Sequence, residues 1–124
     1  MPSFGTLKAD TLTHSTAGSL ATNFVVNGSA KHWVHFNGQG TIAIYSGGSL
    51  NTSSLSDTGT GDYSVNLTSA MSGGDSCYID AGGSANQTRT FQNTASSYNI
   101  DCQNSSGTAE DRADVGGIAH GDLA

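Results

Sequence analysis

From Ala30 to Leu67 the chain places apolar side chains on alternate positions. They fall at Ala30, Val34 and Phe36, at Ile42 and Ile44, and at Tyr63, Val65 and Leu67. Runs of Gly, Asn, Asp and Ser separate these stretches. Alternation over four to eight residues between turn formers is the pattern of strands with one face on a core and the other in water. The same reading over the whole chain predicts strands at Asn23–Val26, Lys31–Phe36, Thr41–Tyr45, Leu50–Leu55, Tyr63–Thr68, Ser76–Ala81, Thr88–Gln92, Tyr98–Cys102 and Val115–His120. Such spacing of short strands fits two packed sheets or a barrel. The expected fold is all-β: an antiparallel sandwich, jelly-roll-like or barrel-like, of roughly 8–9 short strands.

Residues 1–22 break the pattern. They are polar and Thr-rich, with isolated apolar residues at Phe4, Leu7, Leu12 and Leu20. Too sparse for a core of its own, this segment is expected to be an extended N-terminal arm, either a flexible leader or ordered against a partner. Residues 23–124 form the single sandwich domain. Within it, residues 56–62 are expected to be a hairpin turn, and residues 73–75, 81–87 and 104–112 loops, because each is dense in Gly, Ser, Asn or Asp.

Composition strengthens the all-β reading and thins the expected core. Gly supplies 17 of the 124 positions, and hydrophobic residues only 35%. Glu110 is the only glutamate, and no window carries helical periodicity. A thinly cored domain gains stability by association, which buries apolar surface a monomer leaves wet. The formal net charge is −6, with Lys and Arg together at 4. Four basic residues cannot build a phosphate-binding stripe, so neither nucleic acid nor an anionic membrane surface is an expected partner. No apolar run reaches signal-peptide or transmembrane length, which places synthesis in a cytoplasm.

Candidate chemistry is sparse. His32 and His35 lie three apart on an expected strand, hence on opposite faces, and do not share a metal ion within it. The many Asp residues sit mostly in turns, where the carboxylate bonds nearby backbone, and no nucleophile elbow or triad spacing is present. The chain is therefore read as a non-enzyme without metal or cofactor. Cys77 and Cys102 fall at inward strand positions and read as reduced core thiols, with a disulfide between neighbouring strands as the alternative. Val34 and Phe36 are expected to face the core, while Lys31, Trp33 and His35 line the opposite face. There Trp33 either packs into the core or under a loop, anchors a subunit interface, or forms a sugar-stacking or receptor site.

The segments VNGSAKHWVHFNGQGTIAI and SLSDTGTGDYSVNLTSAM resemble a module of tailed-phage virion proteins of the tail-fibre type. AsnSerSerGlyThrAlaGluAsp at 104–111 and the final strand complete a looser match, so the resemblance spans about residues 25–122. Family positions around Trp33 often carry Ala and Asn where this chain has His32 and His35. The resemblance implies a homotrimeric virion component, exposed at a tail fibre or tail tip and facing a host glycan or receptor. A capsid decoration protein that stabilises the head shell is the second reading, and a polysaccharide-active enzyme a remote third. In either virion role the partners are further copies of the chain and other tail or capsid proteins. The expected interface residues are Phe4, Leu7, Leu12, Lys31, Trp33, His35 and Tyr45.

Overall fold

The computed structural model describes residues 9–16, 18–73, 77–83 and 87–124. The chain enters as a short hairpin, β1 (Thr11–His14) and β2 (Gly18–Ala21), followed by one helical turn and a half, α1 (Thr22–Gly28). Eight strands then build the body: β3 (Ala30–Asn37), β4 (Ala43–Leu50), β5 (Thr52–Gly59), β6 (Asp62–Leu67), β7 (Cys77–Gly83), β8 (Gln87–Thr94), β9 (Ser97–Gln103) and β10 (Val115–Gly121). They form two four-stranded sheets, ordered β4-β3-β10-β7 and β5-β6-β9-β8. Every strand pairing is antiparallel. The fold is all-β, an open sandwich and not a closed barrel.

Alternation decides which face is inside. On β6 and β9 every second residue is buried, giving Tyr63, Val65 and Leu67 on one and Tyr98, Ile100 and Cys102 on the other. Val34 and Phe36 on β3, with Val115 and Ala119 on β10, face them from the other sheet. Leucine and isoleucine are scarce in this core, and two tyrosines, both fully buried, fill the gap between the sheets. Each crosses to a glycine. A Cβ on Gly117 would stand 2.5 Å from the Tyr98 hydroxyl oxygen, and one on Gly38 would stand 2.4 Å from that of Tyr63. Contacts that short are sterically excluded, so no other residue fits either position without displacing the ring.

Both hydroxyls are satisfied, as burial requires. The Tyr63 hydroxyl donates to the Gly38 carbonyl at 3.0 Å and accepts from the Arg112 amide at 3.2 Å. Tyr98 Oη lies 3.3 Å from His32 Nδ1, and His32 Nε2 lies 3.0 Å from Thr52 Oγ1. His32 is thus a core residue, edge-on to Tyr98, and it links both sheets. Cys102 is a free, buried thiol that burial pushes up to about 11, so it acts as a small hydrophobe. Cys77 lies on β7, in the other sheet, so the two cysteines are not on neighbouring strands.

Several boundaries depart from the sequence reading. Residues Asn23–Val26, expected as a strand, are helical. None of α1 is buried, and both its ends are tied down. Thr22 donates its amide to the Asp10 carbonyl and its hydroxyl to the Ala9 carbonyl. At the far end the Lys31 ammonium reaches the carbonyls of Val26 and Ser29, and His120 Nδ1 meets the Gly28 carbonyl. Cations at carbonyl-rich helix ends are favourable, and these tertiary anchors override the β preference of the Val pair. Within the expected arm, β1 and β2 pair as a hairpin, and the Thr13 and Ser19 hydroxyls bond across the strands. The strand expected at Thr41–Tyr45 begins at Ala43 and runs on to Leu50, and the next begins at Thr52. Asn51 between them has φ 60°, a left-handed corner that takes the chain from one sheet to the other. Its side chain holds the Ser69 amide and carbonyl, which fixes that corner. The loop expected at 81–87 is shorter, since β7 continues to Gly83 and β8 starts at Gln87.

Two tests follow from this core. Gly117→Ala should lower the unfolding free energy by about 2 kcal/mol, and Tyr98→Phe by about 1–2 kcal/mol, in denaturant titrations. The double variant should lose clearly less than the sum, because removing the hydroxyl removes the nearest clashing atom. Additive losses would show that the two residues do not meet. Burial also lowers the His32 pKa from 6.5 to about 4. The unfolded chain then binds a proton that the fold excludes. His32's contribution is complete above pH 6.5 and shrinks as pH falls toward 4, by roughly 3 kcal/mol in total. His32→Gln should flatten this part of the stability–pH curve, and an unchanged curve would refute the assignment.

A candidate assembly face

The outer surface of the β4-β3-β10-β7 sheet carries most of the residues singled out from sequence. Strand alternation turns Lys31, Trp33 and His35 away from the core, while His32 points inward. Register then brings together side chains distant in sequence. Trp33 pairs with Leu50 of β4 on one side and with Ile118 of β10 on the other. Cross-strand partners share a face, so Leu50, Trp33 and Ile118 make an apolar stripe across three strands. They are 49%, 36% and 36% exposed, respectively.

Above this stripe His35 and Tyr45 form a second cluster. The residues of β4 between Ile44 and Ser49 bulge opposite His35, where the register shifts. Gly47 takes φ 71° in that bulge, and a Cβ on Gly48 would strike the His35 and Tyr45 carbonyls at 2.7 Å. The bulge lays the Tyr45 ring against the His35 ring, with centroids 4.6 Å apart, and its hydroxyl donates to the Ala113 carbonyl at 2.5 Å. His35 Nε2 also bonds the Asp114 carboxylate. The tilted ring contact and these hydrogen bonds brace an exposed His–Tyr–Asp cluster at the sheet surface.

Below the stripe Leu50 borders an open groove of about 500 Å³. Its other walls come from Ala30, Lys31, Asn51, Thr68, Ser69 and Leu123. Lys31 is committed to capping α1, where its ammonium also meets the Ser29 hydroxyl at 2.5 Å.

The hairpin and helix add a second set of exposed apolar groups. Leu12 and Leu20 stand opposite each other on β1 and β2. Phe24, Val25 and Val26 are exposed on α1, Phe24 at 64%. These five residues are about half exposed, and together with the stripe they make up most of the large apolar surface among the described residues. Phe4 and Leu7 lie outside the described residues.

The sequence reading placed Lys31, Trp33, His35 and Tyr45 without register, and so missed Leu50, Ile118 and Asp114. The parity of β10 was legible: Val115 and Ala119 point inward, which turns Ile118 out. Nothing in the sequence announces that Ile118 stands beside Trp33.

The carboxylates have structural work. Asp57 accepts from the Gly59 amide and Asp111 from the Gly61 amide, while Glu110 pairs with Arg112 and Asp101 with Arg89. Among the described residues no group of three His, Cys, Asp or Glu side chains is arranged to hold a metal ion. Compared with family models, with curated proteins and with solved structures, the chain matches none.

Proposed function

We propose that this protein is a non-enzymatic structural component of a tailed-phage particle, assembled as a homotrimer at the tail fibre or tail tip. The observation that carries the assembly half of this reading is the exposed Leu50–Trp33–Ile118 stripe, together with five partly exposed apolar side chains on the hairpin and α1. An exposed Trp flanked by aliphatic side chains on a rigid sheet has the make-up of an interface hot spot. The phage half comes from the resemblance of residues 25–122 to the virion module. In the trimer, Trp33 packs against a neighbouring copy. The hairpin and α1 lie along that neighbour's groove beside Leu50, where Phe24 and Leu12 lose their water. Lys31, through its cap on α1, fixes the angle at which the arm leaves the sandwich. A pI near 4.7 keeps unassembled chains apart by like charge until these faces meet.

The second reading, a head decoration protein, draws on the same arm. An apolar hairpin and helix tied to the strand ends of β3 and β10 suits clasping a neighbouring shell subunit as well as a second copy of this chain.

Light scattering on the purified full-length chain should give three times the 12.6 kDa chain mass. Trp33→Asp should reduce it to the monomer with its circular dichroism unchanged, because Trp33 is outside the core. A monomeric wild type at micromolar concentration would refute the trimer. Quantitative mass spectrometry of purified virions against the major capsid protein addresses the particle. A few to a few tens of copies is the expected result, whereas hundreds would make the protein a shell decoration. Absence from the particle would overturn both.

A further inference from the structure

The outer face of the β5-β6-β9-β8 sheet differs from the assembly face in kind. Its outward residues are almost all polar: Asp62, Ser64 and Asn66 on β6, and Ser97, Asn99, Asp101 and Gln103 on β9. One aromatic interrupts them. Phe91, on β8, is 51% exposed and pairs across the strands with Asn99. Two residues along on the same face, Arg89 pairs with Asp101, and Asp101 pairs in turn with Asp62. Thr60 and Ala109 form a rim at one end, and the depression between holds about 410 Å³. That is at the small end of the range for ligand sites, about 300–1,000 Å³.

These side chains are already fixed. The Arg89 guanidinium lies over one face of the Phe91 ring, 5.5 Å from its centre, and bonds the Asp101 carboxylate. Gln103 Nε2 donates to the same carboxylate oxygen at 3.2 Å. An ionised carboxylate has about four acceptor positions, so Asp101 retains capacity beyond these two bonds. Groups mounted on strands and cross-braced in this way keep their geometry for a ligand.

We propose that this depression is a binding site for uncharged glycans, with a pyranose ring stacked on Phe91 and its hydroxyls held by Asp101, Asn99 and Asp62. A pyranose has one face of C–H groups and an equatorial belt of hydroxyls. The C–H face complements the electron-rich face of an aromatic ring. Hydroxyls donate to carboxylates in charge-assisted bonds and accept from the amide N–H groups of Asn99 and Gln103, which line the depression. Neighbouring strands are about 4.8 Å apart, so the three strands span about 10 Å, room for one or two sugar rings. Two carboxylates against one guanidinium leave the site negative, which selects uncharged sugars over uronic or sulfated ones. This site faces away from the Trp33 stripe and does not depend on the trimer. Within the phage reading, it would be the surface that meets the host envelope.

The test is binding of the full-length protein to an array of gluco-, manno-, galacto- and N-acetylglucosamine oligosaccharides, with uronic acid oligomers as the anionic arm. Any hit is then titrated by calorimetry. At least one uncharged series should bind. Phe91→Ala and Asp101→Asn should each weaken it by about tenfold or more, and Phe91→Tyr should retain it. Phe91 is exposed, so its replacement leaves the core intact. Trp33→Asp should bind sugar as the wild type does even where it changes the mass, which separates this site from the assembly face. Binding to the anionic arm alone, to no glycan, or with equal strength after Phe91→Ala would each overturn the proposal.

Discussion

Two buried tyrosines set the distance between the sheets, and the rest of the fold is built around them. A chain with 35% hydrophobic residues cannot fill a sandwich with Leu and Ile alone. Tyr63 and Tyr98 supply the bulk, but each carries a hydroxyl into the core, and an unpaired buried hydroxyl is costly. The solution has two parts at each site. A glycine opposite the ring makes room, Gly38 for Tyr63 and Gly117 for Tyr98. A polar partner then meets the oxygen: the Gly38 carbonyl and Arg112 amide in one case, the His32 ring in the other. The loop that follows β9 is drawn into the same arrangement, because Arg112 accepts from the Gly38 amide while its own amide meets Tyr63. Register, loop position and the neutral state of His32 therefore depend on one another.

That constraint also explains what remains on the outside. With Phe36, Tyr63 and Tyr98 and the inward aliphatics filling a single shared interior, the outer faces are free to differ. One sheet keeps Leu50, Trp33 and Ile118 in line across β4, β3 and β10, which is the wrong composition for permanent exposure to water. The other is hydroxyl, amide and carboxylate apart from Phe91 and Arg89. A sandwich whose faces differ this much can hold neighbours with one side and leave the other open.

Much of the interior was legible in the sequence because alternation is local. The inward positions of β3, β6 and β9 follow from period two, and so do the outward positions of Lys31, Trp33 and His35. What could not be read depends on contacts between distant segments. The helix at Thr22–Gly28 has a strand-like sequence and exists because Asp10, Lys31 and His120 hold its ends. The corner at Asn51 needs a left-handed residue that only the Ser69 contacts make visible. The Trp33 stripe and the His35–Tyr45–Asp114 cluster are products of register and of a bulge, and neither is encoded in spacing along one strand. Arg89 and Phe91 were two residues of an ordinary strand until β9 set Asp101 and Asn99 beside them.

The placement of the two candidate surfaces bears on how they could work together. The proposed assembly stripe runs from the edge strand β4 across the interior strands β3 and β10, so a neighbour packed there rests mainly on strands paired on both sides. The proposed glycan site starts at β8, the edge strand of the other sheet, and reaches inward to β6. A long saccharide could therefore run off the open edge while one or two of its rings sit on Phe91. A threefold arrangement that buries the Trp33 faces around its axis would turn three such sites outward. Individually weak contacts to a repeating polymer would then combine, since each bound site raises the effective concentration of sugar at the next. Avidity of this kind requires both halves of the arrangement. An isolated sandwich carrying the same site would bind a polysaccharide only with the affinity of a single contact.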